Sequence, residues 1–215
     1  MASSISAASQ PAPTSSKART LAALVGVTGA GLVFVVVAAL PYFRPDQVQS
    51  AAARDWVLLL HIATGIVALF SGPVQLWLGL TDGRPELHRR LGLVYLLSIA
   101  ISSVAAYILA VTTRGGFAFG AGLAGLATAW VITSGLAYLA IRRHLYELHR
   151  ELMIRSYVVT TGFISFRALV LALGAAGVGD SAQRATVAAW FCWSVPLLVT
   201  EAVLQGRKIL GVRVT

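Results

Sequence analysis

The sequence predicts an all-α membrane protein, a helical bundle with six transmembrane helices. The chain of 215 residues is 57% hydrophobic and only 12% charged, with a mean hydropathy of +0.78. Soluble domains carry about 25% charged residues, so this composition is typical of an integral membrane protein. The hydrophobic residues also fall into six separate runs. Each run has about twenty residues, the length that an α-helix needs to cross about 30 Å of hydrocarbon.

Polar connections separate these runs and predict three parts of the chain. Residues 1–20 are rich in Ser, Ala, Pro and Thr, a composition that predicts a disordered tail. The first run could alternatively be the core of a cleaved signal peptide, but it exceeds the about 7–15 residues typical of such cores. Residues 21–205 are predicted to form the membrane domain, and residues 206–215 a basic C-terminal tail. The six runs cover approximately 21–40, 56–80, 91–112, 118–141, 152–176 and 185–204.

The basic residues predict the orientation of the chain. Six spans put both termini on one side, and twelve of the 17 Lys and Arg residues then lie there. Four lie on the opposite side, and Arg167 falls inside the fifth run. Because Lys and Arg accumulate on the cytoplasmic side of membrane proteins, both termini are predicted to be cytoplasmic. The net charge of +9 thus reflects orientation in a lipid bilayer, and no basic stripe or stacking motif indicates nucleic-acid binding.

A repeated motif predicts how the central helices are arranged. ELHRRL at 86–91 recurs almost unchanged as ELHREL at 147–152, each time before a long apolar run. The motifs predict a four-helix core made of two parallel hairpins, spans two and three and spans four and five, related by an axis along the membrane normal. His88 and His149 would occupy matching positions on the cytoplasmic side. Alternatively, the resemblance has only a structural meaning, and the two histidines are solvated or bonded to loop carbonyls.

Polar side chains inside the apolar runs are candidate functional residues. An arginine at a helix centre costs about 2.5–3.5 kcal/mol on insertion scales, so such residues usually face the bundle interior. His61 and Arg167 are predicted to lie in the outer third, where they could approach one another. Gln75, Arg155 and Glu201 are predicted to lie toward the cytoplasmic side, level with the two repeat histidines. A purely structural polar contact between His61 and Arg167 is the alternative.

Helical geometry predicts a partner for Arg155. It follows His149 by six residues, which leaves it about 120° away around an ideal helix. Glu151 precedes it by four residues, the spacing at which a carboxylate and a guanidinium meet on one face. The sequence therefore predicts that Arg155 pairs with Glu151.

Three stretches resemble a known family. HIATGIVALFSGPVQL, LHRRLGLVYLL and HRELMIRSYVVTTGFISFR resemble bacterial multi-pass membrane proteins grouped as domain of unknown function 2306. The resemblance covers about residues 55–170 and implies a multi-pass protein of the bacterial cytoplasmic (inner) membrane. It implies no activity. The family often has a tryptophan before the MIR motif, where this chain has Leu152. The matching positions here are His61, Gly65, Gly72, Pro73, Gln75, His88, Arg89, Gly92, Tyr95, His149, Met153, Ile154, Arg155 and Arg167.

The first functional hypothesis is a redox protein that holds a b-type haem or a quinone between the hairpins. Imidazole is a common axial ligand of haem iron, and bundles build cofactor sites from facing helices. His88 and His149 are the candidate metal ligands, while Gln75, Arg89 and Arg155 would pair with propionates or a quinone oxygen. No nucleotide-binding motif is present, so electrons would come from a membrane electron-transfer partner.

The second hypothesis is a transport or binding module for a small molecule, an anion or a proton. His61 and Arg167 on the outside, with Gln75, Arg155 and Glu201 on the inside, would line its path. A third is a non-enzymatic membrane assembly factor with a protein partner. A lipid-modifying enzyme has no motif in its favour, and whether the protein is an enzyme stays open.

Overall fold

The computed structural model describes residues 14–45, 53–81 and 84–211, and every regular element in these ranges is helical. The first helix continues without a break through a π-helical turn, Val35–Ala39, and a 3₁₀ turn, Leu40–Phe43. The α-helices that lie wholly within these ranges are α1 (Thr14–Phe34), α2 (Ala53–Thr81), α3 (Pro85–Val111), α4 (Phe117–Arg142), α5 (Tyr146–Thr160), α6 (Gly162–Ala175) and α7 (Ser181–Ile209).

These helices confirm the predicted all-α membrane bundle. Five segments of the described chain are each long and apolar enough to cross a membrane, and α5 with α6 forms a further span that bends by 44° around Thr161. Counting the bent pair as one span gives the six predicted from the apolar runs. The five unbroken segments are Thr20–Phe43, Asp55–Thr81, Pro85–Val111, Phe117–Arg142 and Ser181–Ile209.

The first helix begins before the start of the predicted membrane domain. α1 starts at Thr14, so residues 14–20 are helical, and the division of the chain into tails and membrane domain stays a prediction. Residues 1–13 of the predicted disordered tail lie outside the described ranges, as do the last four residues of the chain.

Local sequence explains where the helices start. Pro85 is the first residue of α3, where its missing N–H costs nothing. Gly116, with a φ of +86°, turns the chain into α4 in a conformation that disfavours other residues. Asp180 caps α7: its carboxylate accepts from the Gln183 backbone N–H at 2.9 Å, and the Gln183 side chain accepts from the Asp180 N–H at 3.0 Å.

The two predicted hairpins pack side by side. α2 packs along α3 and α4 along α5, while α3 with α4 forms the larger contact between the pairs and α2 with α5 a smaller one. α7 packs on α4, α5 and α6, and α1 lies against α2 and α6. Large apolar side chains such as Leu97, Val104 and Leu198 point outward, as expected for a surface that faces lipid. Tyr95, Ile99, Leu126, Trp130, Tyr157 and Cys192 belong to the buried core.

Candidate functional site

A cavity of about 260 Å³ lies between α1 and the two hairpins, in the half of the bundle opposite the ELHR motifs. His61 of α2 and Arg167 of α6 both line it. His61 and Arg167, which the sequence predicted could approach one another, therefore line the same cavity but are not bonded to each other. Most of the lining is apolar. Its other polar or amphipathic side chains are Tyr42, Thr113, Trp130 and Thr160.

Ser102 of α3 fixes the orientation of His61. Nδ1 of His61 lies 3.0 Å from the Ser102 carbonyl oxygen and 2.9 Å from its hydroxyl oxygen. The Ser102 hydroxyl donates to the His61 carbonyl at 3.2 Å. The edge of the imidazole meets the ring of Phe163, with 5.8 Å between centroids. Nε2, the other ring nitrogen, has no hydrogen-bond partner among the described residues.

Arg167 is a cation without a protein counter-ion in the described part of the chain. It lies eight residues before the end of α6 at Ala175, which places its Cα about 12 Å from that end. Its side chain is exposed where α6 borders the cavity. An unpaired guanidinium at this depth is costly unless it meets an oxygen from a ligand, a lipid or water.

A buried hydrogen-bond network supports the cavity wall. Trp130 Nε1 donates to Thr160 Oγ1 at 2.9 Å, and Thr160 donates to the Ser156 carbonyl. The Tyr95 hydroxyl lies 2.9 Å from both Thr160 Oγ1 and Ser156 Oγ. The Thr160 hydroxyl donates its one proton to that carbonyl, so the Tyr95 hydroxyl must donate to Thr160 Oγ1. The Ser156 hydroxyl must then donate to the Tyr95 oxygen. Ser134 completes the network at 2.7 Å from Ser156, so three helices are joined behind Trp130 and Thr160.

The wall contributed by the first helix departs from α-helical geometry. Pro41 has no N–H, so the carbonyl of Val37 cannot receive the usual bond from the fourth residue on. The preceding residues form a π-helical turn, in which the Leu40 N–H donates to the Val35 carbonyl. π-helical turns occur frequently at functional sites. The cavity-lining residues of this segment are Phe34, Ala38, Ala39 and Tyr42.

The opposite end of the bundle holds the two repeat histidines. The buried Gln75 amide donates to the His88 carbonyl at 2.7 Å. His88 lies over Gly79, where an added Cβ would be 3.4 Å from Cε1 of the imidazole. Nδ1 of His88 is buried and lacks a partner among the described residues. Nδ1 of His149 lies 2.9 Å from the Ala137 carbonyl oxygen, so each histidine packs on the helix that precedes it.

The repeat also relates two residues that touch. Tyr95 and Ser156 follow Glu86 and Glu147 by nine residues each, and their hydroxyls form the 2.9 Å contact of the buried network.

His88 and His149 lie within electrostatic range of each other. No group of three or more His, Cys, Asp or Glu side chains suited to a metal occurs among the described residues. The role of the two histidines as metal ligands stays a prediction.

Arg155 is held by two carboxylates. The predicted pair with Glu151 is present at 3.5 Å, but Glu201 of α7 is the closer partner. Its Oε2 atom accepts from Arg155 Nε at 2.9 Å and from Nη2 at 2.5 Å. Lys208 reaches Glu151 at 2.7 Å, and Gln205 donates to Glu201 at 2.7 Å. The guanidinium is therefore already engaged by the protein.

The remaining predicted residue, Arg89, is exposed near the start of α3. No hydrogen bond or ion pair joins it to another described residue. It lines neither the cavity near His61 nor an apolar groove of about 570 Å³ between α6 and α7. His88 and His149 line neither of these spaces.

Comparison with known proteins identifies a family. Neither the curated proteins nor the solved structures yield a match to the chain. A family model does match, over residues 58–204, which includes α3 to α6 and most of α2 and α7. α1 lies outside this range. Because the match covers well over half of the chain, the protein belongs to the family described as Predicted membrane protein (DUF2306).

Proposed function

We propose that this integral membrane protein binds the ring of a quinone-class lipid in the cavity between His61 and Arg167. One observation carries the proposal: an apolar cavity within the bundle has an imidazole and a guanidinium on walls from different hairpins. A quinone ring is apolar on its faces and carries two oxygens at opposite ends. Two separated polar side chains in an apolar lining suit such a ligand.

The size of the cavity favours a single ring over a haem. Its volume of about 260 Å³ is slightly below the about 300–1,000 Å³ of sites for drug-sized ligands. A porphyrin needs more room, and the histidines predicted as its ligands border neither the cavity nor the groove. Neither space thus supports the haem form of the redox hypothesis, and haem ligation by His88 and His149 stays a prediction. The quinone form is supported at a different place from the predicted one.

The binding and transport hypothesis retains one specific observation in its favour. Arg167 lines the cavity without a carboxylate partner among the described residues, which suits an anionic ligand. An apolar lining disfavours a hydrated inorganic ion, because the lost hydration would not be replaced. The second candidate ligand is therefore a long-chain carboxylate. The inner residues predicted for a transport path, Gln75, Arg155 and Glu201, do not line the cavity.

Calorimetric titration of the purified protein in lipid nanodiscs tests the proposal. Trimethylbenzoquinone, trimethylhydroquinone under argon and decanoate are added separately. We expect at least one of the two ring compounds to bind, and Arg167→Gln to weaken its binding about tenfold, because a charge-assisted hydrogen bond is lost. Arg143→Gln, an exposed change at the inner end of α4, is the matched control and should leave affinity unchanged.

Two outcomes would overturn the quinone proposal. One is the absence of binding by both ring compounds, and the other is equal binding by the wild type and Arg167→Gln. If decanoate alone binds, and does so through Arg167, the long-chain carboxylate replaces the quinone as the ligand class.

A further inference from the structure

We infer that His61 makes the cavity selective for the hydroxyl-bearing, reduced form of its ligand, a hydroquinone, over the oxidised quinone. The inference rests on the proposed quinone-class ligand and assigns His61 the role of specificity-determining residue. It follows from the surroundings of the two imidazole nitrogens.

The contacts of Nδ1 determine where the imidazole proton lies. The Ser102 carbonyl oxygen, 3.0 Å from Nδ1, can only accept a hydrogen bond. The Ser102 hydroxyl donates its own proton to the His61 carbonyl, so it also acts as an acceptor toward Nδ1 at 2.9 Å. Both contacts therefore require a proton on Nδ1. In a neutral imidazole the other nitrogen, Nε2, then carries a lone pair and can only accept.

Nε2 is the ring nitrogen left for a ligand. His61 lines the cavity, and no described residue donates to Nε2. An acceptor left unsatisfied in an apolar site costs about 1–3 kcal/mol. A hydroquinone hydroxyl can donate to Nε2 and remove this cost. A quinone carbonyl has only lone pairs to offer, so the two acceptors would face each other without a proton between them.

Arg167 does not discriminate between the two forms. A guanidinium has donors only, and both a quinone carbonyl and a hydroquinone hydroxyl oxygen can accept from it. The two side chains thus have different roles. Arg167 contributes affinity for any ligand oxygen, and His61 determines the difference in affinity between the oxidised and the reduced ring.

The test compares the dissociation constants of trimethylhydroquinone and trimethylbenzoquinone under argon, in nanodiscs, by calorimetry. For the wild type we expect the hydroquinone to bind about tenfold more tightly, the effect of one hydrogen bond to an otherwise unsatisfied acceptor. His61→Phe, which keeps a ring beside Phe163, should bring the two constants close together. Arg167→Gln should weaken both compounds by a similar factor and keep their ratio.

The wild-type measurement decides the matter even if His61→Phe does not fold. Equal affinities for the two compounds in the wild type would overturn the selectivity while leaving the quinone-class site intact. A preference for the quinone would also overturn it. Binding of neither compound would instead contradict the proposed function, so the two failures are distinguishable. An unchanged ratio in a folded His61→Phe protein would remove His61 as the selective residue.

Discussion

The hydroxyl of Tyr157 in α5 donates a hydrogen bond to the backbone carbonyl of Leu69 in α2, with 3.2 Å between the oxygens. This carbonyl is available because Pro73, four residues later, has no N–H to donate to it. Gly72 provides the space, since a Cβ there would overlap the Tyr157 ring. The Gly72-Pro73 pair is therefore the docking point of α5 on α2, and Leu69 itself lines the cavity.

Tyr157→Phe should lower the free energy of unfolding by about 1–3 kcal/mol, because the buried Leu69 carbonyl loses its side-chain donor. In a Pro73→Ala background the new N–H at position 73 can donate to that carbonyl within the helix. The same Tyr157→Phe change should then cost clearly less. Unfolding by SDS titration in mixed micelles measures both costs. A Tyr157→Phe cost that is the same in both backgrounds would contradict the role of Pro73.

Gly72→Ala should lower the free energy of unfolding by about 1–3 kcal/mol, since the added methyl group forces the Tyr157 ring out of its place. Gly135→Ala is the matched control: it is also a glycine within a helix, but nothing lies within 4 Å of its added Cβ. This control should be neutral or stabilising by up to about 1 kcal/mol. Similar effects of the two changes in the same SDS titration would show that the glycine contact with Tyr157 is unimportant.

Arg155→Met should destabilise the protein by about 1–3 kcal/mol, because Glu151 and Glu201 lose their shared cation, although Glu201 is 44% exposed and Lys208 still reaches Glu151. The Arg155 side chain is 15% exposed, whereas Lys208, the other cation of this cluster, is 53% exposed. Lys208→Met should therefore cost less than about 1 kcal/mol.

His149→Ala should leave the melting temperature nearly unchanged, since the Ala137 carbonyl retains its place in the helix. If His149→Ala lowered the melting temperature as much as Arg155→Met does, His149 would be part of the structural scaffold.

The predicted orientation can be tested by cysteine labelling in a Cys192→Ala background, since Cys192 is buried. Single cysteines at positions 83 and 146 should react with a membrane-impermeant maleimide only from the cytoplasmic side. Cysteines at positions 48 and 180 should react only from the opposite side. Labelling of positions 83 and 180 from the same side would contradict six spans.

The spans were predictable because an apolar run of fixed length is a local property of the sequence. The pair formed by Arg155 and Glu151 was predictable for the same reason, since its spacing is four residues. Glu201, 46 residues from Arg155, is the closer partner, and no local pattern indicates it.

For His61 and Arg167 the sequence predicted, from depth alone, that they could approach one another, but it did not predict a cavity. Their positions along two helices gave similar distances from the outer face. Depth does not give rotation about a helix axis, and this is why Trp130 and Thr160 were missed as cavity residues. The one available signal was the indole N–H of Trp130, which needs an acceptor inside an apolar run. For the same reason the partner of Tyr157, 88 residues away in the chain, could not be foreseen.

Photoaffinity labelling can locate the bound quinone on the protein. An azido-substituted quinone is irradiated with the protein in nanodiscs, and the modified peptides are mapped by mass spectrometry. We predict labelling on the cavity-facing segments of α2 and α6 around His61 and Phe163, abolished by excess trimethylhydroquinone. Labelling concentrated at the opposite end of the bundle, around His88 and His149, would contradict a quinone site between His61 and Arg167.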